Sequence, residues 1–186
     1  MWLQREFILA ALDPDYGRRA QLTCEGAVLR LHDSWARFCR EVIVISAVGR
    51  TTTLGGLQLT PCNPAIKKRA SVIPILLSTY KKKKYEPKWF DATECIDAGS
   101  RLSIVNLSTV SAALGATNSP AEEIKHVRNF YAHRKKGTCM NAAGTNLFLR
   151  PTRPIPPDLT RYTSGGNMVI EAWVTDLLTV ATAAVQ

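Results

Sequence analysis

Between Arg128 and His133 the chain places an arginine, an asparagine and a histidine within six residues, Arg-Asn-Phe-Tyr-Ala-His. The surrounding run, Glu122-Glu123-Ile124-Lys125-His126-Val127 before it and Arg134-Lys135-Lys136 after it, brings in a second of the chain's three histidines. These residue types suit phosphate chemistry. A guanidinium binds phosphate oxygens through a planar fork of N–H groups. An amide can hold a phosphate or a ribose hydroxyl. An imidazole titrates near neutral pH and can move a proton.

The element that must carry them is a helix. Ser119, Pro120 and Glu122 form the pattern of a capping box, with proline at the first helical position, and predict a helix to about Lys136 that stops at Gly137. At about 100° per residue, Glu122, His126, Asn129 and His133 share one stripe. Ile124, Val127 and Tyr131 share a neighbouring apolar stripe that faces the core. Arg128 stands about 140° around the helix from His133, so one straight helix does not aim both side chains at one point.

The rest of the chain also reads as helices. Trp2 to Leu12 predicts a short first helix closed by Asp13-Pro14. A long helix is expected from about Arg18 to Val48, with apolar residues spaced by three and four and Gly49 at its end. Further helices are expected over about Ala65 to Tyr85, with Pro74 as a kink or break, over Trp89 to Ala98 ended by Gly99, and over Arg101 to Leu114 ended by Gly115. A final amphipathic helix is expected from about Asn167 to Ala184. Residues 51–64 and the proline-rich 150–158 read as loops. The expected fold is an all-α helical bundle, one domain over residues 1–186.

Composition bounds the partners. The chain has 186 residues, is 46% hydrophobic and carries a formal charge of +9, with a pI near 9.6. A basic globular chain points first to nucleic acid and second to anionic membrane surfaces. Five cysteines with no Cys-x-x-Cys pair suggest neither a zinc site nor a disulfide framework, and they fit a reduced, cytoplasmic setting. Phe7 to Leu12 is too short for a targeting core, and Val42 to Val48 is far below the ~20 residues of a membrane span.

The motif resembles the signature of the HEPN superfamily, Arg-x-x-x-x-His with a polar residue directly after the arginine. Arg128, Asn129 and His133 occupy the three positions, and the small Ala132 before the histidine is also typical. The resemblance covers about ten residues of the motif. It implies a compact all-helical domain that dimerises through its motif helices, and a metal-independent endoribonuclease of a toxin or antiphage system. The implied reaction is attack of the RNA 2′-OH on its own phosphate, leaving a 2′,3′-cyclic phosphate and a 5′-OH. His133 would move the proton, Arg128 would stabilise phosphate charge, and Asn129 would orient the phosphate or ribose. No cofactor is implied. Partners would be RNA, a second copy, and an antitoxin or regulatory protein.

His126 and Glu122 are auxiliary candidates, although a local hydrogen bond and a capping role explain them without catalysis. Arg134, Lys135 and Lys136 adjoin the motif and are expected to bind RNA. Lys81, Lys82, Lys83 and Lys84, followed by Tyr85 and Trp89, form a second basic patch with aromatic residues for stacking. Structural roles compete with this reading. Arg128 could pair with a glutamate on another helix, and the basic residues could simply complement a helix C-terminus. The alternative function is a catalytically inactive HEPN-like module that binds RNA, nucleotide or a protein. A third is a helical subunit of a larger assembly.

Overall fold

The structure is a computed structural model that describes residues 18–61, 63–80, 85–116, 119–144 and 168–186. The expected Trp2–Leu12 helix, the Lys81–Lys84 patch and the proline-rich 150–158 stretch lie outside the described residues. Among those described, there are seven helices and no strand. In chain order they are α1 (Arg18–Val48), α2 (Arg69–Ser78), α3 (Ala92–Leu102), α4 (Leu107–Leu114), α5 (Ala121–His133), α6 (Lys136–Ala143) and α7 (Val169–Ala184). The fold is all-α. None of the described helices is long and apolar enough to cross a membrane.

The helices contribute to two compact units. The first comprises residues 1–33 and 120–176, and the second residues 34–119 and 177–186. Helices α1 and α7 supply residues to both.

In the first unit, α5 and α6 pack together. Its buried side chains include Cys24 and Val28 of α1, Ile124, Val127 and Tyr131 of α5, and Trp173 of α7. The expected apolar stripe of α5 is therefore the one that is buried. Two polar contacts lock these helices. The Trp173 indole N–H donates to Glu123 Oε2 at 3.0 Å, and Arg134 Nη2 donates to Glu25 Oε2 at 2.8 Å.

In the second unit α3 packs against α4 and α2. The long helix ends where expected, at Gly49, whose φ of +60° lies in the left-handed region. A Cβ there would meet the Thr60 carbonyl carbon at 2.1 Å, so glycine serves both the turn and the close approach of the loop. The 51–64 loop is mostly irregular, as expected, with one isolated antiparallel bridge between Thr52 and Gln58. Pro74 neither breaks nor ends α2. It sits past the first turn on an exposed position, and the helix runs on to Ser78 although the proline removes one backbone N–H from its ladder.

Several boundaries differ from expectation, and α2 covers only Arg69–Ser78 of the region expected over Ala65 to Tyr85. Gly99 does not end a helix but lies buried inside α3, which continues to Leu102 and stops at Ser103 with φ 54°. A Cβ on Gly99 would stand 3.0–3.2 Å from Ile104, Leu107 and Ile43, so the glycine lets α3 approach its neighbours. Arg101 and Leu102 consequently belong to α3, and α4 begins only at Leu107.

Candidate nucleic-acid site on the motif helix

Helix α5 carries every residue of the motif, but its ends differ from the capping pattern. Pro120, not Ser119, is the N-cap, and no side chain caps the helix. Glu122 turns instead to its own helix. Its Oε1 accepts from Lys125 Nζ and stands 3.3 Å from His126 Nε2. A carboxylate in the first helical turn satisfies the positive end of the helix by charge, without a capping hydrogen bond. At the other end, α5 stops at His133 because Arg134 adopts a left-handed conformation with φ 45°. Gly137 lies inside α6 and does not terminate α5. The three basic residues after the motif are thus spread over a bend and the start of a new helix.

Arg128 is half-buried. Its Nη1 donates to Asn129 Oδ1 at 3.3 Å, and its Nε is buried without a hydrogen-bond partner among the described residues. Among the described residues no carboxylate pairs with this guanidinium. The structural alternative of an Arg128–glutamate pair is therefore not seen there. His133 is exposed at the last residue of the helix, and Lys135 and Lys136 beside it are exposed too. Arg134 is exposed but committed, through its bond to Glu25.

Arg128 and Asn129 are in contact, while His133 stands one turn beyond Asn129 as the exposed last residue of the helix. Glu122 and His126 form a local pair one turn earlier. Among the described residues there is no group of three or more His, Cys, Asp or Glu side chains spaced to hold a metal ion.

Sequence reasoning passed over His32. It lies in α1 and is only 7% exposed. Its Nδ1 is 3.2 Å from Asp33 Oδ1. Burial lowers its pKa from the ordinary 6.5, the Asp33 hydrogen bond opposes that shift, and the charges of Arg128 and Lys125 add to it. The third histidine therefore belongs to the same electrostatic neighbourhood as the motif arginine. A signal for this exists in the sequence. Cys24, Val28, His32 and Trp35 fall at spacings of four and three, so His32 occupies a core position of α1.

Comparison with protein-family models, with curated proteins and with solved structures finds no match for this chain.

Proposed function

We propose that the chain is a metal-independent endoribonuclease of HEPN type that works as a homodimer, with a role as a toxin or antiphage effector. One observation carries the reading. Among the described residues, the half-buried guanidinium of Arg128 meets no carboxylate and its Nε has no hydrogen-bond partner, while it contacts Asn129 on the helix that ends in an exposed His133. A desolvated cation without a counter-charge is costly, and an anionic ligand relieves that cost. A phosphodiester is the anion that the neighbouring amide and imidazole suit.

In this scheme a base removes the proton from the RNA 2′-OH as its oxygen bonds to phosphorus. The bond from phosphorus to the 5′-oxygen breaks, and an acid protonates the leaving oxygen. Arg128 stabilises charge on the non-bridging oxygens. Asn129 orients the phosphate or ribose. Two His133 side chains, one from each subunit, divide the acid and base roles. The angle of about 140° between Arg128 and His133 around one helix is the reason for a second copy. Lys135 and Lys136 extend the cationic surface along the RNA, and Arg134 does so less strongly because Glu25 neutralises it.

The test is cleavage of a broad RNA panel by the purified wild type and by Arg128→Ala and His133→Ala, together with the molecular mass in solution at micromolar concentration. Cleavage by a wild-type dimer, lost in both variants, is the expected result. Equal inactivity of all three, or a monomeric wild type, defeats the nuclease reading. Salt-dependent RNA binding that persists in the inactive chain would then favour the silent RNA-binding module.

A further inference from the structure

His32 is a buried imidazole in the first unit that the proposed chemistry does not use. Its place relative to the motif follows from the register of two helices. The Glu25–Arg134 ion pair ties α1 to the end of α5. From Glu25 to His32, α1 advances seven residues, about 10.5 Å. From Arg134 back to Arg128 the chain retreats six residues, about 9 Å. Helices running in opposite directions from that tie bring His32 level with Arg128, whereas parallel ones would carry the two about 20 Å apart. The charges of both Arg128 and Lys125 act on the imidazole, as the opposed direction requires.

The charged groups that face His32 are few. Asp33, on its own helix, places Oδ1 3.2 Å from the ring Nδ1. From α5 come Lys125, which is bonded to Glu122, and Arg128, which meets no carboxylate among the described residues. Burial does most to keep the ring neutral, the Asp33 hydrogen bond works against that, and the Arg128 charge reinforces it. The guanidinium that an anion would neutralise is therefore the same one that opposes a proton on His32.

We propose that His32 couples anion binding to proton uptake: a phosphodiester that neutralises Arg128 lifts the repulsion on the His32 imidazole, which then takes a proton from solvent. The inference rests on the reading of Arg128 as a phosphate-binding residue and needs no cleavage. His32 acts through Arg128 and does not itself hold the phosphate. The coupling is reciprocal, so the proton tightens the phosphodiester as much as the phosphodiester tightens the proton. Affinity rises as pH falls through the His32 pKa of the complex. It levels off below the pKa of the free protein, which lies under 6.5.

A 2′-deoxy oligonucleotide is the probe, because it presents phosphodiesters but lacks the hydroxyl that cleavage needs. Imidazole chemical shifts of the full chain, followed against pH with and without the probe, read the three histidines separately. His126→Gln and His133→Gln assign the other two signals, so the wild-type His32 midpoint is measured even if a variant at position 32 fails to fold. That midpoint is expected to rise on binding by at least about half a pH unit, a threefold change in proton affinity, and Arg128→Ala is expected to abolish the rise. Fluorescence anisotropy should show wild-type affinity growing at least about threefold more than that of His32→Gln between about pH 7.5 and about pH 5.5. A histidine with a purely packing role would move neither reading. The coupling alone is overturned if the probe binds through Arg128 and the His32 midpoint does not rise. No binding, or binding that Arg128→Ala leaves unchanged, overturns it together with the phosphate-binding reading of Arg128.

Discussion

The two units treat their cations differently. In the second unit three arginines, Arg40, Arg69 and Arg101, are matched to carboxylates. Arg40 Nε donates to Glu86 Oε2 at 2.9 Å, and the same oxygen accepts from the Trp89 indole at 2.8 Å. The Arg40 guanidinium holds the Glu86 carboxyl below the ordinary carboxylate range. Arg101 Nε donates to Asp97 Oδ2 at 2.8 Å while its guanidinium lies 4.3 Å from the centre of the Tyr80 ring. Arg69 is tied to Glu41. In the first unit, Arg128 has no carboxylate among the described residues, and Lys135 and Lys136 are exposed beside His133. A net charge of +9 is thus a poor guide to a binding surface by itself. What distinguishes Arg128, Lys135 and Lys136 is that no carboxylate among the described residues pairs with them, whereas Lys125 and Arg134 are matched to Glu122 and Glu25.

The sharpest way to break this contrast is to alter one residue on each side of it. His133→Ala is expected to lower RNA cleavage by about 10²–10⁴-fold, the usual contribution of a general acid or base. Arg101→Ala, which removes a matched cation, should leave cleavage within about threefold of wild type once the two are compared at equal folded fraction. Equal losses from both would erase the distinction between the units.

Next in size is a backbone effect confined to the second unit. Gly49→Ala forces a Cβ into a left-handed conformation and against the Thr60 carbonyl, and should cost at least about 2 kcal/mol of stability. Chemical denaturation followed by tryptophan fluorescence measures this. A neutral result would mean that the loop does not press on the end of α1.

A pH series addresses the first unit. The native pKa of His32 lies below its ordinary 6.5, chiefly through burial, so the unfolded chain takes up the proton more readily. The stabilisation is complete above about pH 6.5. It is lost as pH falls through the interval between 6.5 and the native value, with a slope no steeper than about 1.4 kcal/mol per pH unit. His32→Gln is expected to flatten that segment of the stability profile, and an unchanged profile would remove His32 from the account.

The smallest expected effect concerns Arg134. Glu25→Ala frees its guanidinium, so RNA should bind more tightly at low salt, and the slope of log affinity against log salt should steepen by about 0.7. Fluorescence anisotropy at several salt concentrations reads this directly. No change would mean that Arg134 does not face the bound RNA.

Much of the helical pattern was legible in the sequence because spacing by three and four leaves a strong trace. Helix α1 runs over the expected span, its β-branched stretch Val42-Ile43-Val44-Ile45 is helical, and the Ile124–Val127–Tyr131 stripe is buried. Boundaries set by glycine were less legible. Gly49 and Gly99 look alike in a sequence, yet one ends a helix and the other permits close packing inside one. Three candidate site residues, Arg128, Asn129 and His133, were visible as a group, and so was the angle between Arg128 and His133, but the contact of Arg128 with Asn129 was not.

By itself, then, the sequence determined the helices, the burial pattern of α5 and the residue types of the motif. Each of these depends on periodicity or on the chemistry of single side chains, and both are local. Only the tertiary structure decided which cations are neutralised and that His32 lies under the charge of Arg128. Those outcomes depend on groups far apart in the chain, such as Glu25 and Arg134 or His32 and Arg128, and no local pattern records the distance between them.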